Sequence, residues 1–323
     1  MSIFIDPPLL PAHGTFFSHL ISDTSLKELH DFAAAHEISP RAFDADHYDV
    51  PQHRYAALVN AGAQEVTGTQ LTRILIRSGL RVPLKERPSK IRPRLLRAWE
   101  ALAPGASAVG ADLLERWEQP HRAYHNSVHL SEMLAALTLL YFPQPVPRTV
   151  LFAAWFHDAV YEAQPGQDEA ASAELVRTNL MPLTRTGVLT AAEVTAAAQL
   201  VEFTASHRVP EELAGLTGGV LTRADADFFM DADLAILAAE TARYGRYIAG
   251  VRTEYSHYGP QAFAQGRSGF LREFLGRDRI FASAAGHSLW DADGCGRRRY
   301  PGRLRRQSSG RGMRRRGQIW PLS

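Results

Sequence analysis

The sequence predicts two domains, a small α+β domain followed by an all-α helical domain. Over residues 1–88, a strand-like apolar run is followed by amphipathic segments of helical period. From residue 94 onward, apolar residues recur every three or four positions, without the alternation typical of strands. Residues 83–93 (PLKERPSKIRP) are rich in proline and charge and lack an apolar period. We therefore predict a linker at 89–93 and a second domain over residues 94–290.

In the first domain, Ile3–Ile5 is predicted to form a short strand, and Leu26–Ala35 and Thr67–Arg77 are predicted to form helices. Residues 47–49 (HYD) are predicted to form a turn. Five polar residues of this domain could converge on a metal ion or a phosphate: Asp6, His19, His30, His47 and Asp49. We favour the alternative that they are caps, turn residues and histidines on helix faces.

The second domain is predicted to be a series of helices separated by proline, glycine and polar residues. Helical periodicity resumes at Leu95 and is ended by Pro120. Further helices are predicted over residues 127–142, 148–162, 190–207, 231–255 and 263–275, with another beginning at residue 168. This arrangement predicts an all-α fold.

Charge is distributed unevenly along the chain. The formal net charge is +2, but ten of the 36 basic residues are arginines within residues 297–323, which contain no acidic residue. The other residues include 26 basic and 34 acidic ones, a net charge of −8. Nucleic-acid binding would depend on the basic segment alone, which disfavours a nucleic acid as the main partner. Residues 291–323 are predicted to be a basic tail, either disordered or the product of a frameshift.

The N-terminal sequence, the length of the apolar runs and the cysteine content indicate the cellular compartment. The first fourteen residues (MSIFIDPPLLPAHG) show no basic segment followed by a long apolar core, so we predict no signal peptide. Apolar runs are far shorter than a membrane span, which disfavours a membrane partner. The single cysteine, Cys295, allows no internal disulfide and fits a reducing cytoplasm. We predict a cytoplasmic protein, whose oligomeric state the sequence does not determine.

Two histidine-containing stretches of the second domain indicate a metal site. His125 and His129 lie four residues apart at the start of an apolar run, so a helix would place them on one face. The doublet His157-Asp158 ends another apolar run, where an unpaired charge would be strongly unfavourable. Hydrogen-bonded histidines explain either stretch alone. Together with a later acidic pair, Asp231 and Asp233, they favour a bound divalent cation.

This pattern resembles the HD superfamily of metal-dependent phosphohydrolases, in which a His, a His-Asp doublet and a distant Asp are carried on helices. The resemblance covers residues 94–290, and its most specific part is the doublet in its setting, WFHDAVY. The Tyr-His-Asn-x-x-His form at residues 124–129 is similar to the cyclic-nucleotide phosphodiesterase branch. The first domain resembles a small bacterial domain family of unknown function, which implies no chemistry.

The HD resemblance implies a set of metal ligands. They would be His129, His157, Asp158 and one of the acidic pair. We choose Asp233, because a leucine follows it as in the superfamily, and give Asp231 a capping or supporting role. Imidazole and carboxylate ligands fit Mn²⁺, Fe²⁺, Zn²⁺, Ni²⁺ or Mg²⁺ and do not choose among them.

The resemblance also implies roles for residues beside the ligands. His125 would supply a proton to the leaving group, and Asn126 and Tyr124 would orient the histidine rings. The alternative for His125 is a histidine near a helix N-terminus that bonds to its own backbone. His207 could bind a phosphate or a second ion, and Glu169 matches an acidic segment that follows the doublet. Charged residues of the late helices, Glu254 among them, are by default ascribed to a solvent-exposed face.

We therefore predict a metal-dependent phosphohydrolase that uses metal-activated water to cleave a small-molecule phosphate ester, such as a nucleotide. Two alternatives stay open. One is a sensor in which an HD-type domain binds a nucleotide through its metal and signals through the first domain without turnover. The other is a nucleic-acid-processing protein, which depends only on the basic tail and on the uninterpreted first domain.

Overall fold

The chain divides into two compact units, Met1–Arg87 and Pro88–Ser323. The computed structural model describes residues 2–164 and 166–291. The first unit combines a small mixed sheet with helices, and the second is largely helical, which confirms the predicted fold class. Apart from Asp291, the predicted basic tail lies outside the described residues.

The sheet of the first unit is built around one long central strand. Its strands are β1 (Ile3–Ile5), β2 (Leu10–Ala12), β3 (Thr15–Ser22), β4 (Phe43–Asp44), β5 (His47–Pro51) and β6 (Gln64–Glu65). The order is β4-β5-β3-β1-β6. Strand β2 lies off this path and pairs with the first three residues of β3, Thr15 to Phe17. The β1–β6 pair is parallel and the others are antiparallel. The predicted turn at residues 47–49 is wrong, because the chain turns at Ala45 and Asp46 and enters β5 at His47.

Three helices accompany the sheet: α1 (Leu26–Ala35), α2 (Gln52–Asn60) and α3 (Gly68–Arg77). The helices predicted over Leu26–Ala35 and Thr67–Arg77 are confirmed, and both have side-chain caps. The Ser25 hydroxyl accepts from the Glu28 N–H, and Thr67 and Gln70 form a reciprocal capping box.

The second unit contains no strand among its described residues. Its helices are α4 (Pro88–Leu102), α5 (Ser107–Trp117), α6 (Ser127–Tyr141), α7 (Arg148–Phe156), α8 (Gln167–Leu180), α9 (Ala191–Thr204), α10 (Leu213–Leu216), α11 (Arg223–Asp233), α12 (Thr241–Glu254), α13 (Pro260–Leu275) and α14 (Ala284–Gly286). In the described part of the chain, no helix is both long enough and apolar enough to cross a membrane.

Three predicted boundaries differ most from the structure. Residues 89–93 are not a linker but belong to α4, because Ile91 is buried in the core of the helical unit. The doublet helix ends at Phe156, so His157 and Asp158 follow it directly. The single helix predicted over residues 231–255 is wrong, since α11 ends at Asp233 and a 3₁₀ segment and an extended residue precede α12.

Three tryptophans fix the end of α7 against its neighbours. The rings of Trp99 and Trp155 meet edge to face with centroids 5.1 Å apart. The Trp117 indole N–H donates to the Trp155 carbonyl at 3.0 Å. Gly110 lies directly under the Trp99 ring, where a Cβ atom would overlap the indole. This packing holds the residues that follow Trp155 in one place.

Candidate metal centre

Three separate segments of the helical unit bring their side chains to one point. His129 lies in the first turns of α6, whose N-cap is Asn126. His157 and Asp158 come immediately after α7, and Asp233 is the last residue of α11. Because each residue lies at the end of a packed helix, the side chains are positioned by the core rather than by a mobile loop.

The two predicted imidazole ligands lie close to each other and to both predicted carboxylate ligands. The Nε2 atoms of His129 and His157 are 3.1 Å apart. Asp158 Oδ2 lies 3.2 Å from His157 Nε2 and 3.8 Å from His129 Nε2. Asp233 Oδ1 lies 3.1 Å from His129 Nε2 and 3.7 Å from His157 Nε2. Two imidazole nitrogens and two carboxylate oxygens therefore face a common centre.

The chemistry of these atoms fits a divalent cation. Metal–ligand bonds of about 2 Å in a tetrahedral site place neighbouring ligand atoms about 3.3 Å apart, close to the observed separations. His157 Nδ1 is 2.8 Å from the Ala154 carbonyl oxygen, which can only accept, so this nitrogen carries the proton. In the neutral ring, the Nε2 lone pair therefore faces the centre. Among the described residues, His129, His157 and Asp158 form a buried group that could hold a metal ion.

The centre is shielded from solvent. His129, His157 and Asp158 are 3%, 1% and 2% exposed. Burial by itself lowers the pKa of His157, but the adjacent Asp158 carboxylate outweighs it and raises this pKa to about 9. For Asp158, burial raises the pKa, and the His157 ring outweighs it, so this pKa lies below its ordinary value. A cation at the centre would neutralise the buried carboxylates of Asp158 and Asp233 at the same time.

His125 lies beside the centre and pairs with a buried glutamate. Its ring centroid is 5.7 Å from that of His129, although His125 precedes α6 and is not part of the helix. Its Nδ1 lies 2.7 Å from Glu254 Oε2. Burial lowers the pKa of His125, but the Glu254 carboxylate outweighs it and raises this pKa above its ordinary value. With Nδ1 held by Glu254, the Nε2–H group is the one left to act on another molecule.

Glu254 also holds the backbone that carries His125. Its Oε1 accepts from the N–H groups of Ala123, Tyr124 and His125 at 2.7–2.9 Å. The expectation of a solvent-exposed face is therefore wrong for Glu254, which is 9% exposed at the end of α12. No sequence signal links these residues, because about 130 positions separate them.

Arg122 is a second residue that sequence reasoning missed. Its guanidinium lies between the Trp117 and Tyr161 rings and donates to the carbonyls of His125, Asp158 and Ala159. One buried cation therefore ties the His125 segment to the His-Asp segment. The only sequence signal for Arg122 was its position three residues before His125. An arginine at such a position is common and does not by itself indicate a buried structural role.

The other predicted site residues occupy different positions around the centre. The Tyr124 hydroxyl lies 3.2 Å from His129 Nδ1, and His207 Nε2 lies 2.9 Å from Asp233 Oδ2, so both contact a predicted ligand. Asn126 uses its side chain to cap α6, accepting from Val128 N–H and donating to the Ala123 carbonyl. Its catalytic role stays a prediction.

The last two predicted residues bond to backbone rather than to a ligand. Asp231 points away from Asp233, as their two-residue spacing predicts, and accepts from the N–H groups of Ala282 and Ser283. It therefore anchors the segment that leads into α14. Glu169 is buried in the first turn of α8 and accepts from Gly166 N–H.

In the first unit, four of the five candidate residues are brought together. Asp6, His19, His47 and Asp49 lie in one cluster, and three of them form a second group that could hold a metal ion: His19, His47 and Asp49. His30 is not part of it, since its Nδ1 pairs with the Tyr48 hydroxyl. The favoured interpretation as caps and turn residues is wrong for this cluster, because His19, His47 and Asp49 lie within strands.

Comparison with known proteins bears on the first unit alone. No curated protein and no solved structure matches the chain. The HD resemblance of residues 94–290 stays a prediction. Residues 3–78 match the family described as "Protein of unknown function (DUF4031)", which confirms the resemblance of the first domain to a family without assigned chemistry.

Proposed function

We propose that the helical unit is an HD-type, metal-dependent phosphohydrolase that cleaves a small-molecule phosphate ester, such as a nucleotide. One observation carries this proposal. The imidazole nitrogens of His129 and His157 lie 3.1–3.8 Å from each other and from one oxygen each of Asp158 and Asp233. His129, His157, Asp158 and Asp233 would hold the cation. When bound, it would lower the pKa of a water molecule and neutralise charge on phosphoryl oxygens.

The residues around the ligands fit this chemistry. His157 is fixed by the Ala154 carbonyl, and His129 is contacted by the Tyr124 hydroxyl, which limits the rotation of both rings. His207 holds the second oxygen of Asp233, so that Oδ1 is kept toward the centre. Arg122 keeps the backbones of His125 and Asp158 at a constant separation.

His125 would protonate the leaving oxygen. A histidine that donates a proton must be protonated at the working pH, and the Glu254 carboxylate raises the pKa of His125 against the opposing effect of burial. Glu254 also orients the His125 ring by binding Nδ1, so that Nε2–H points away from the Glu254 carboxylate. Its role is to position His125 rather than to touch the substrate.

A second candidate function is a non-catalytic nucleotide sensor in which the cation has a structural role, rather than one that binds the nucleotide through its metal. The burial of the ligands favours it, since the side chains of His129, His157, Asp158 and Asp233 are only 4%, 0%, 3% and 11% exposed. A substrate phosphate must reach these atoms for turnover. A cation that only stabilises a binding-competent fold needs no such access.

A turnover screen separates the two candidates. The full chain, loaded with Mn²⁺, would be assayed against nucleoside monophosphates, cyclic nucleotides and other phosphate esters. We expect turnover in the wild type, loss of activity and of the ion of the helical unit in His157→Ala, and retention of both in His257→Ala, which removes an exposed histidine of the same unit.

The variant His125→Gln tests the proton donor. We expect it to keep its metal and to react about 10²–10⁴-fold more slowly. A chain that holds the ion but cleaves none of these esters would overturn the enzyme proposal. The sensor would then be tested by thermal stabilisation with the same nucleotides.

A further inference from the structure

The first unit contains a cluster of metal-ligating groups on one face of its sheet. In the β3–β5 pair, His19 stands directly opposite Asp49, and Leu20 stands opposite Tyr48. Residues two apart on a strand share a face, so His47 and Asp49 lie on the same side as His19. Leu20 and Tyr48 point to the other side, where they are buried in the core. The register alone therefore assembles two histidines and an aspartate.

Each histidine of this cluster has one ring nitrogen held by a carboxylate. His19 Nδ1 lies 2.9 Å from Asp6 Oδ2, and the other oxygen of Asp6 accepts from the His19 N–H at 2.6 Å. His47 Nδ1 lies 2.6 Å from Asp46 Oδ1. A carboxylate that accepts from Nδ1–H leaves the Nε2 lone pair available and makes it a stronger donor to a metal. Metal-binding histidines are commonly supported by a carboxylate, a backbone carbonyl or water in this way.

The supporting aspartates are themselves fixed. Asp46 is fully buried, and its Oδ2 accepts from the Val82 N–H at 2.7 Å. Arg87 donates to Asp44 and approaches Asp46 at 3.4 Å. Burial raises the pKa of Asp46, but its hydrogen bonds outweigh this effect and lower it, so the carboxylate stays charged. A carboxylate held in this way gives His47 one orientation.

The third group, Asp49, faces His47 without a hydrogen bond between them. Asp49 Oδ1 is a buried atom that accepts no hydrogen bond among the described residues. It lies 3.5 Å from His47 Nε2, long for a hydrogen bond but close to the separation of about 3.3 Å expected for two ligands of one ion. The side chains of His19 and Asp49 are 33% and 38% exposed, so one side of the cluster is open to solvent.

We propose that His19, His47 and Asp49 bind a divalent transition-metal ion through two imidazole nitrogens and one carboxylate oxygen, with Asp6 and Asp46 orienting the rings. Nitrogen ligands favour Mn²⁺, Fe²⁺, Co²⁺, Ni²⁺ or Zn²⁺ over Ca²⁺ and Mg²⁺, which prefer oxygen. Three protein ligands leave coordination positions on the solvent side for water or an oxyanion such as phosphate. This site is separate from the centre of the helical unit and does not depend on it.

Binding of Co²⁺ to the full chain tests this site. Metal-free protein would be equilibrated with Co²⁺, and bound ions would be counted by elemental analysis while the visible absorption of protein-bound Co²⁺ is recorded. We expect His19→Ala and Asp49→Ala each to lose one ion per chain relative to the wild type. His53→Ala, which removes an exposed histidine of the same unit, should keep it. His157→Ala should also retain the first-unit ion, whatever happens in the helical unit.

Two further variants guard against misfolding. Asp49→Asn keeps the shape of the side chain and should weaken Co²⁺ binding at least tenfold with an unchanged circular dichroism spectrum. Asp6→Asn removes only the support of His19 and should weaken binding by about 10–100-fold. Equal ion counts and equal Co²⁺ spectra in wild type, His19→Ala and Asp49→Ala would overturn the proposal, because a proton shared by His47 and Asp49 would then be the occupant.

Discussion

Replacement of Glu254 by glutamine isolates the electrostatic role of this residue in the helical unit. The amide keeps one oxygen that can accept from the N–H groups of Ala123, Tyr124 and His125, but it loses the charge that pairs with His125 Nδ1. A hydrogen bond to a charged group contributes about 1.5–3 kcal/mol. At about 1.4 kcal/mol per pKa unit, the pKa of His125 should fall by about one to two units.

The direction of the change follows from burial. His125 is 3% exposed, and burial lowers its pKa once the carboxylate is gone, so in Glu254→Gln we expect a value below the ordinary 6.5. In wild type the folded-state pKa is raised, so its stabilising effect is complete below pH 6.5 and is lost as the pH rises through the folded-state value. The substitution should therefore reduce the free energy of unfolding more below pH 6.5 than well above it.

Two measurements check this prediction. Nuclear magnetic resonance of labelled histidine in the zinc-loaded chain would follow the His125 titration, with His125→Gln to assign the signal. Chemical unfolding across the pH range would follow stability. Glu211→Gln, which removes an exposed carboxylate of the same unit, is the matched control. An unchanged His125 midpoint in Glu254→Gln, or an equal loss of stability at every pH, would refute the assigned role.

Three further predictions concern the same unit. Tyr124→Phe removes the hydroxyl beside His129 Nδ1 and should weaken metal binding by about 10–100-fold in a metal titration, and an unchanged affinity would exclude this support. Arg122→Met leaves three carbonyls without their donor and should lower the free energy of unfolding by about 3 kcal/mol or more, whereas Arg116→Met, at an exposed pair, should change it little. Although burial opposes it, Asp158 raises the pKa of His157 to about 9, so a metal ion must displace a proton from His157. The affinity of the helical unit for the metal ion should therefore rise about tenfold per pH unit from pH 7 toward 9. An affinity that does not change with pH would contradict this.

Local signals made much of the fold predictable. The helices predicted over Leu26–Ala35 and Thr67–Arg77 are both present, and each begins at a side-chain cap, Ser25 or Thr67. The apolar period located α6 and the run before His157. The break after Asp233 was missed because the apolar pattern continues through Leu234 and Ile236, which are buried in the 3₁₀ segment. Periodicity cannot distinguish one long helix from two that share a core.

Contacts between distant segments were not predictable in the same way. Glu254 resembled a surface glutamate of α12 until its contact with His125 placed it in the interior. The cluster of His19, His47 and Asp49 depends on the β3–β5 register, which the sequence alone does not give. Taking residues 47–49 as a turn concealed the fact that His47 and Asp49 share one face of a strand.

The proposed chemistry of the helical unit requires a single cation held by His129, His157, Asp158 and Asp233. Anomalous diffraction from crystals of the Mn²⁺-loaded full chain tests this most directly. We expect a peak about 2.0–2.3 Å from the Nε2 atoms of both histidines and from a carboxylate oxygen of each aspartate. Ordered density for these four side chains without an anomalous peak between them would contradict the account.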